Sequence, residues 1–211
     1  MVNFDIVIIG ASAGGVGSLQ RVVEHIPADF PAAILIALHL PDGIRSMLPQ
    51  ILERAGNLPA GHARDSDPIK PGRIYVAPPG FHLTVGRGRM VVTRGAREHG
   101  HRPAIDPLFR SAAIAYGRRS VGVILSGPLD DGTVGLREIK RAGGLAIVQD
   151  PGDTEWPSMP LSALHHVDVD HSLPASQIGT LLHQIVVAKP SRSPATMRDR
   201  DDHRVSDGCA N

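Results

Sequence analysis

Asp5-Ile-Val-Ile-Ile-Gly-Ala-Ser-Ala-Gly-Gly-Val-Gly17 is the stretch whose reading decides the fold. An apolar run stops at a glycine turn, and a helix-compatible segment begins two or three residues after Ser12. Short continuous apolar runs bounded by turn residues read as strands buried on both faces of a parallel sheet. Such sheets collect ligands at the carboxyl ends of their strands, and helix amino-termini stabilise negative charge. Ser12 therefore stands where a nucleophile attacking a carbonyl group would stand. Taken alone, a serine in a glycine-rich turn is more often a helix cap or a phosphate-loop residue, so the reading depends on partners elsewhere in the chain.

Outward from that turn, the runs Phe4 to Ile9, Gly15 to Ile26, Ala33 to Leu38 and Ile44 to Ala55 alternate as strand, helix, strand, helix. A middle section follows with Arg73-Ile-Tyr-Val-Ala77, His82-Leu-Thr-Val85 and Arg89-Met-Val-Val-Thr93, separated by Pro78-Pro-Gly80 and Gly86-Arg-Gly88. Its short strands and tight turns read as a β-hairpin insertion. The alternation resumes with a helix over Asp106 to Tyr116, a strand over Ser120 to Leu125, a helix over Gly132 to Ala142 and a strand over Leu145 to Gln149. Another helix starts near Met159-Pro160, proline being accepted in a first helical turn, and a last one runs from Ala175 to Val187. The expected fold is α/β, a doubly wound, mainly parallel sheet with helices on both faces and a small hairpin insertion. One domain is expected over residues 1–188. From Lys189 the chain turns rich in Pro, Ser, Arg and Asp without apolar periodicity, so residues 189–211 are expected to be a disordered tail.

Composition removes several function classes. The 22 basic and 21 acidic residues nearly cancel, no Lys/Arg block is interleaved with aromatics, and only 3% of residues are aromatic, so no nucleic-acid partner is expected. The single cysteine, Cys209, can form neither an intramolecular disulfide nor a thiolate metal site. Met1-Val-Asn-Phe-Asp5 precedes an apolar run too short for a secretory signal or a membrane span, which points to a cytoplasmic protein without membrane insertion. His99, His101, His165 and His166 lack carboxylate or thiolate neighbours at metal-ligand spacing, so no metal is expected. In a dinucleotide fingerprint the second glycine would stand where Ser12 is, and the second strand would end in an acid where His39 is.

A serine hydroxyl needs a base to take its proton, and the base needs an orienting group. The run Ala33 to Leu38 delivers His39 at its carboxyl end, and the strand ending at Leu125 delivers Ser126-Gly-Pro-Leu-Asp-Asp-Gly132, with acids just before a helix. Ser, His and Asp thus leave three strand ends of one sheet. Their order along the chain is no obstacle, because a triad is defined by geometry and role.

These residues resemble the catalytic domain of the CheB-type protein-glutamate methylesterases of bacterial chemotaxis and its signal transduction. Six segments fall in family order: Gly10-Ala-Ser-Ala-Gly-Gly15, His39-Leu-Pro41, the stretch from Gly72 to Leu83, His101-Arg-Pro-Ala-Ile-Asp-Pro-Leu-Phe109, Ser126 to Gly132, and Met159-Pro160. The resemblance implies Ser12 as nucleophile, His39 as general base and then acid, and Asp131, directly before the family's glycine, as the orienting carboxylate in preference to Asp130. It implies an oxyanion site at the amides of Ala13, Gly14 and Gly15, and no cofactor. His101 and Arg102 would border the substrate cleft, with the Arg102 guanidinium recognising a carboxylate. Pro128 and Leu129 would form the wall beside His39. Relatives usually have Gly-Met-Gly where this chain has Gly127-Pro-Leu129, so Pro128 withdraws one backbone N–H. They also usually have threonine where this chain has Ala13.

The implied reaction is hydrolysis of glutamate γ-methyl esters on chemoreceptor cytoplasmic helices to glutamate and methanol, with glutamine deamidation as a second activity. Family members commonly carry an amino-terminal phospho-receiver domain. This sequence starts at the first strand, which leads to the expectation of a stand-alone esterase, unregulated or controlled by a separate regulatory protein. Two alternatives are a non-catalytic module docking on a receptor or a methyltransferase, and an esterase of the same fold acting on a different ester.

Overall fold

The computed structural model describes residues 4–40, 45–86 and 88–187. In chain order these form β1 (Ile6–Ala11), α1 (Gly15–Glu24), β2 (Ala33–Leu38), α2 (Leu48–Ala55), β3 (Ala60–His62), β4 (Ile74–Val76), β5 (His82–Gly86), β6 (Arg89–Thr93), α3 (Ile105–Tyr116), β7 (Ser120–Ile124), α4 (Thr133–Arg141), β8 (Leu145–Gln149), α5 (Ser158–His166), β9 (His171–Leu173) and α6 (Ala175–Val187). Seven strands make one sheet in the order β3-β4-β2-β1-β7-β8-β9, every pair parallel. Strands β5 and β6 form a separate antiparallel pair.

Alternation along β1 shows why the sheet is covered on both sides. Ile6 and Ile8 face a core shared with Leu108 and Phe109 of α3, Leu136 of α4 and Met159 of α5. Val7 and Ile9 face the opposite core, with Leu19 of α1, Leu52 of α2 and Ile178 of α6. All four β1 residues are fully buried, and each such side chain stabilises the fold by about 1.5–3 kcal/mol relative to exposure. From β1 the chain moves outward to β2 on one side and later returns to β7 on the other. The carboxyl ends of β2, β1 and β7 therefore lie side by side at the point where the strand order reverses, the place where open α/β sheets form a binding crevice.

Two features differ from the sequence expectation. The segment Arg73–Ala77 belongs to the main sheet and not to the hairpin insertion: Ile34 pairs with Ile74 and Ile36 with Val76 in parallel register. Ile74 and Val76 join one core and Tyr75 the other, which is central-strand behaviour hidden by a length of three residues. The edge strands β3 and β9, equally short, lie in segments for which no strand was expected. The helix expected from Ile44 begins at Leu48, whose N–H donates to Ser46 Oγ at 3.2 Å. The expected tail over 189–211 lies outside the described residues.

Candidate active site

Backbone hydrogen bonds tie the three strand ends together. Leu125 N–H donates to the Gly10 carbonyl at 2.9 Å, Ser12 N–H to the Ser126 carbonyl at 2.8 Å, and His39 N–H to the Ala11 carbonyl at 3.1 Å. Beyond β1 the chain turns sharply through Gly14 at φ 73°, a left-handed value that disfavours a side chain, and α1 begins. The turn is closed by Gly15 N–H donating to the Ser12 carbonyl at 2.9 Å. The Gly15 amide is thus engaged within the turn, whereas the N–H groups of Ala13 and Gly14 have no partner among the described residues.

His39 bridges the other two side chains. Its Nδ1 lies 3.1 Å from Ser12 Oγ and its Nε2 2.7 Å from Asp131 Oδ2. An ionised carboxylate only accepts, so Nε2 carries the proton and Nδ1 offers its lone pair to the Ser12 hydroxyl. The His39 and Asp131 side chains are 5% and 2% exposed, which keeps water from competing for this chain of contacts. Asp131 is held by α3 as well: Ile105 N–H donates to Oδ2 at 2.7 Å and Asp106 N–H to Oδ1 at 3.0 Å. Burial pushes the Asp131 carboxyl up, but the hydrogen bonds from His39, Ile105 and Asp106 outweigh it and leave the group below its ordinary value. The neighbouring Asp130 side chain is two-thirds exposed and faces His99 at 3.8 Å.

The expected cleft residues separate into two kinds. His101 stacks face to face on His39, with ring centroids 3.6 Å apart and planes 9° from parallel. Burial pushes the His101 imidazole down from its ordinary value and the adjacent His39 adds to the effect, which favours a neutral ring stacked on His39. Arg102 directs Nη1 to the Gly95 carbonyl at 2.8 Å, and no carboxylate pairs with it among the described residues. Pro128 is half-buried, whereas Leu129 is 66% exposed with φ 65°, an apolar side chain held in a left-handed conformation beside the site.

Sequence reasoning missed the groups that brace these residues. Ser126 is fully buried: its hydroxyl donates to the Ala13 carbonyl at 2.6 Å and accepts from Thr154 Oγ1 at 2.7 Å, while its N–H donates to Gln149 Oε1 at 3.0 Å. A Cβ on Gly127 would lie 2.8 Å from Ser12 Cβ and 2.1 Å from Met159 Sδ, so only glycine lets this loop approach the serine. Buried polar positions at the ends of β7 and β8 were the available sign, since such groups need partners.

His99, Asp106 and Asp131 place potential ligand atoms within 4.8 Å of one another. Their lone pairs already face donors: Asp131 accepts from His39, Ile105 and Asp106, and Asp106 accepts from Gly135 N–H at 2.7 Å and from His99. A cation would have to displace these hydrogen bonds, so the cluster suits proton sharing better than metal ligation. Among the described residues no helix is long and apolar enough to cross a membrane.

Comparison with known proteins agrees with this architecture. A protein-glutamate methylesterase/protein-glutamine glutaminase of Anaeromyxobacter dehalogenans is 39% identical over 86% of this chain and 53% of its own length. Another from Myxococcus xanthus is 38% identical over 88% of this chain and 49% of its own length. The chain thus spans about half the length of these two relatives, while a relative from Leptospira interrogans, 37% identical, is matched over 93% of its length. The crystal structure of the Thermotoga maritima CheB methylesterase catalytic domain superposes with a TM-score of 0.83 at 33% identity, covering 88% of this chain and all of that one. The CheB methylesterase family model matches residues 7–182, and the chain belongs to that family.

Proposed function

We propose that this chain is a cytoplasmic serine hydrolase that removes methyl esters from glutamate side chains on chemoreceptor helices. The observation that carries the reading is the continuous contact from Ser12 Oγ through His39 to Asp131 at the carboxyl edge of the sheet. The names of the relatives, protein-glutamate methylesterase/protein-glutamine glutaminase, support the substrate class.

In this mechanism His39 Nδ1 takes the Ser12 proton as Oγ bonds to the ester carbonyl carbon. Negative charge passes to the carbonyl oxygen, where the free N–H groups of Ala13 and Gly14 are the available donors. The C–O bond to the methyl group's oxygen breaks, and His39 returns the proton so that methanol leaves. Water, deprotonated by His39, then attacks the acyl-enzyme and releases glutamate and Ser12. A glutamine side chain would follow the same path with ammonia as the leaving group. Asp131 remains ionised throughout, fixing the ring and balancing its positive charge.

Methanol release from methyl-labelled receptor is the direct test. Ser12→Ala is expected to reduce it by about 10^4- to 10^6-fold. Release unaffected by the substitution would remove the hydrolase mechanism. Serine-dependent turnover of small esters with none on receptor would move the assignment to a different ester.

A further inference from the structure

The two N–H groups left free at the start of α1, those of Ala13 and Gly14, belong to peptide units whose carbonyl oxygens are both held. A peptide unit is planar, and in the trans form its C=O and N–H point in opposite directions, so fixing the oxygen aims the N–H. The Ser12 carbonyl accepts from Gly15 N–H at 2.9 Å, which fixes the unit that carries the Ala13 N–H. The Ala13 carbonyl accepts from the Ser126 hydroxyl at 2.6 Å, which fixes the unit that carries the Gly14 N–H. The first anchor is made within the turn by main chain alone. The second is a side chain delivered from the far side of the sheet edge, just beyond β7.

Ser126 is itself fixed from three directions. Its N–H donates to Gln149 Oε1 at 3.0 Å, its carbonyl accepts from Ser12 N–H at 2.8 Å, and its Oγ accepts from Thr154 Oγ1 at 2.7 Å. Because Thr154 donates into that oxygen, the Ser126 proton is directed at the Ala13 carbonyl. Gln149 is fully buried and gives its amide nitrogen to Asp153 Oδ2 at 2.8 Å, which turns its oxygen toward Ser126. The contact is close as well as directed: a Cβ on Gly14 would lie 2.7 Å from Ser126 Oγ, so the hydroxyl occupies space that a side chain at position 14 would need. A hydrogen bond accepted at the carbonyl also polarises the whole unit and strengthens its N–H as a donor, by about 10–30% per bond.

We propose that Ser126 is a positioning residue for ester hydrolysis, its hydroxyl orienting and polarising the Ala13–Gly14 peptide unit so that the Gly14 N–H meets the oxyanion formed from the substrate carbonyl. The inference rests on the hydrolase reading, under which that amide receives developing charge. Ser126 is buried and its hydroxyl is engaged on both sides, so it acts through Gly14 and not by touching substrate. An interaction that matters only as charge develops lowers kcat and kcat/KM together and leaves KM in place. Deleting an oxyanion donor outright costs about 10^2- to 10^3-fold in kcat. Loosening the aim of one that is still present costs less, about 10-fold.

The test measures kcat and KM for methanol release from methyl-labelled receptor in the full chain, with NMR of the Ala13 carbonyl carbon and the Gly14 amide alongside. Three variants carry it: Ser126→Ala, which removes the donor; Ser126→Cys, which keeps the buried volume filled but donates weakly; and Thr154→Val, which removes the adjoining hydroxyl and leaves the Ser126 contact to Ala13 in place. In Ser126→Ala, kcat is expected to fall by about 10-fold with KM within about 2-fold, while the Ala13 carbonyl resonance moves upfield and the Gly14 amide moves with it. Ser126→Cys should fall between that variant and the parent, and it carries the comparison where the alanine variant folds poorly. Thr154→Val should lose no more than about 2-fold. An unchanged kcat in both Ser126 variants, a loss carried by KM, still resonances at Ala13 and Gly14, or a Thr154→Val loss equal to that of Ser126→Ala each overturns the proposal. The resonances need no turnover, and Ser12→Ala alone decides the hydrolase reading, so the two failures are distinct.

Discussion

Three helices start at the same edge of the sheet, and their amino-termini are used in two different ways. At α3, the N–H groups of Ile105 and Asp106 hold the Asp131 carboxylate, and at α4 the N–H of Gly135 holds Asp106. At α1 no side chain caps the terminus and no acid occupies the first turn. Ala13 and Gly14 keep N–H groups without partners among the described residues. The filled termini hold permanent charges in place. The open one faces Ser12 and is suited to a charge that exists only during reaction, which is where stabilisation accelerates chemistry.

The largest effect expected from breaking this contrast lies at α3. Asp131→Asn should lower kcat/KM by about 10^4-fold, because an amide no longer holds the His39 tautomer. Asp131→Ala should do at least as much and also destabilise the fold, since two buried N–H groups lose their acceptor at about 1–3 kcal/mol each. Ser12→Ala, by contrast, removes a hydroxyl whose one side-chain hydrogen bond among the described residues is to His39, and should leave thermal stability nearly unchanged. Equal melting temperatures for Asp131→Ala and Ser12→Ala would mean that α3 does not depend on Asp131 as a cap.

A smaller effect is expected from crowding the open terminus. Gly127→Ala places a methyl group against Ser12 Cβ and Met159 Sδ, and one of them must shift. In the proposed mechanism, displacement of Ser12 by about 1 Å costs about 10^2-fold in rate. The loss should fall on kcat more than on KM, and an unchanged kcat would show that the loop yields without moving Ser12.

The contrast between filled and open termini also marks what the sequence could reveal. Ser12 and His39 were legible because each follows a continuous apolar strand, whereas which face each of Ile6, Val7, Ile8 and Ile9 covers emerged only in the fold, a wholly apolar run carrying no alternation to read. Asp130 and Asp131 are adjacent acids that residue spacing alone could not rank; the fold separates them by burial, with Asp131 covered by α3 and Asp130 in solvent. His99 and Asp106 stayed hidden for another reason. Their contact joins a turn to a helix start seven residues on, and neither hydrophobic periodicity nor ligand spacing reports such a pairing. The strand at Arg73–Ala77 was expected, but β4 is too short to show which sheet it joins, and Ala60-Gly-His62 of β3 has little strand preference of its own.

The smallest and most discriminating effect is expected at Gly17 in the first turn of α1. It is exposed, and a Cβ there would meet nothing within 4 Å. Gly17→Ala should therefore stabilise the protein by about 0.5–1 kcal/mol, as glycine is a poor helix former, without altering turnover. Gly17→Asp adds a carboxylate to the open terminus, favourable to the helix dipole by about 0.3–1 kcal/mol but repulsive to an oxyanion forming at the same N–H groups. Relative to the alanine variant, its kcat/KM should fall by about 2- to 5-fold at low ionic strength, with the gap closing as salt screens the exposed charge. Equal rates for the alanine and aspartate variants at low salt would show that the α1 terminus contributes nothing to the transition state, and the oxyanion donors would then have to be sought across the cleft, on the loop that follows β7.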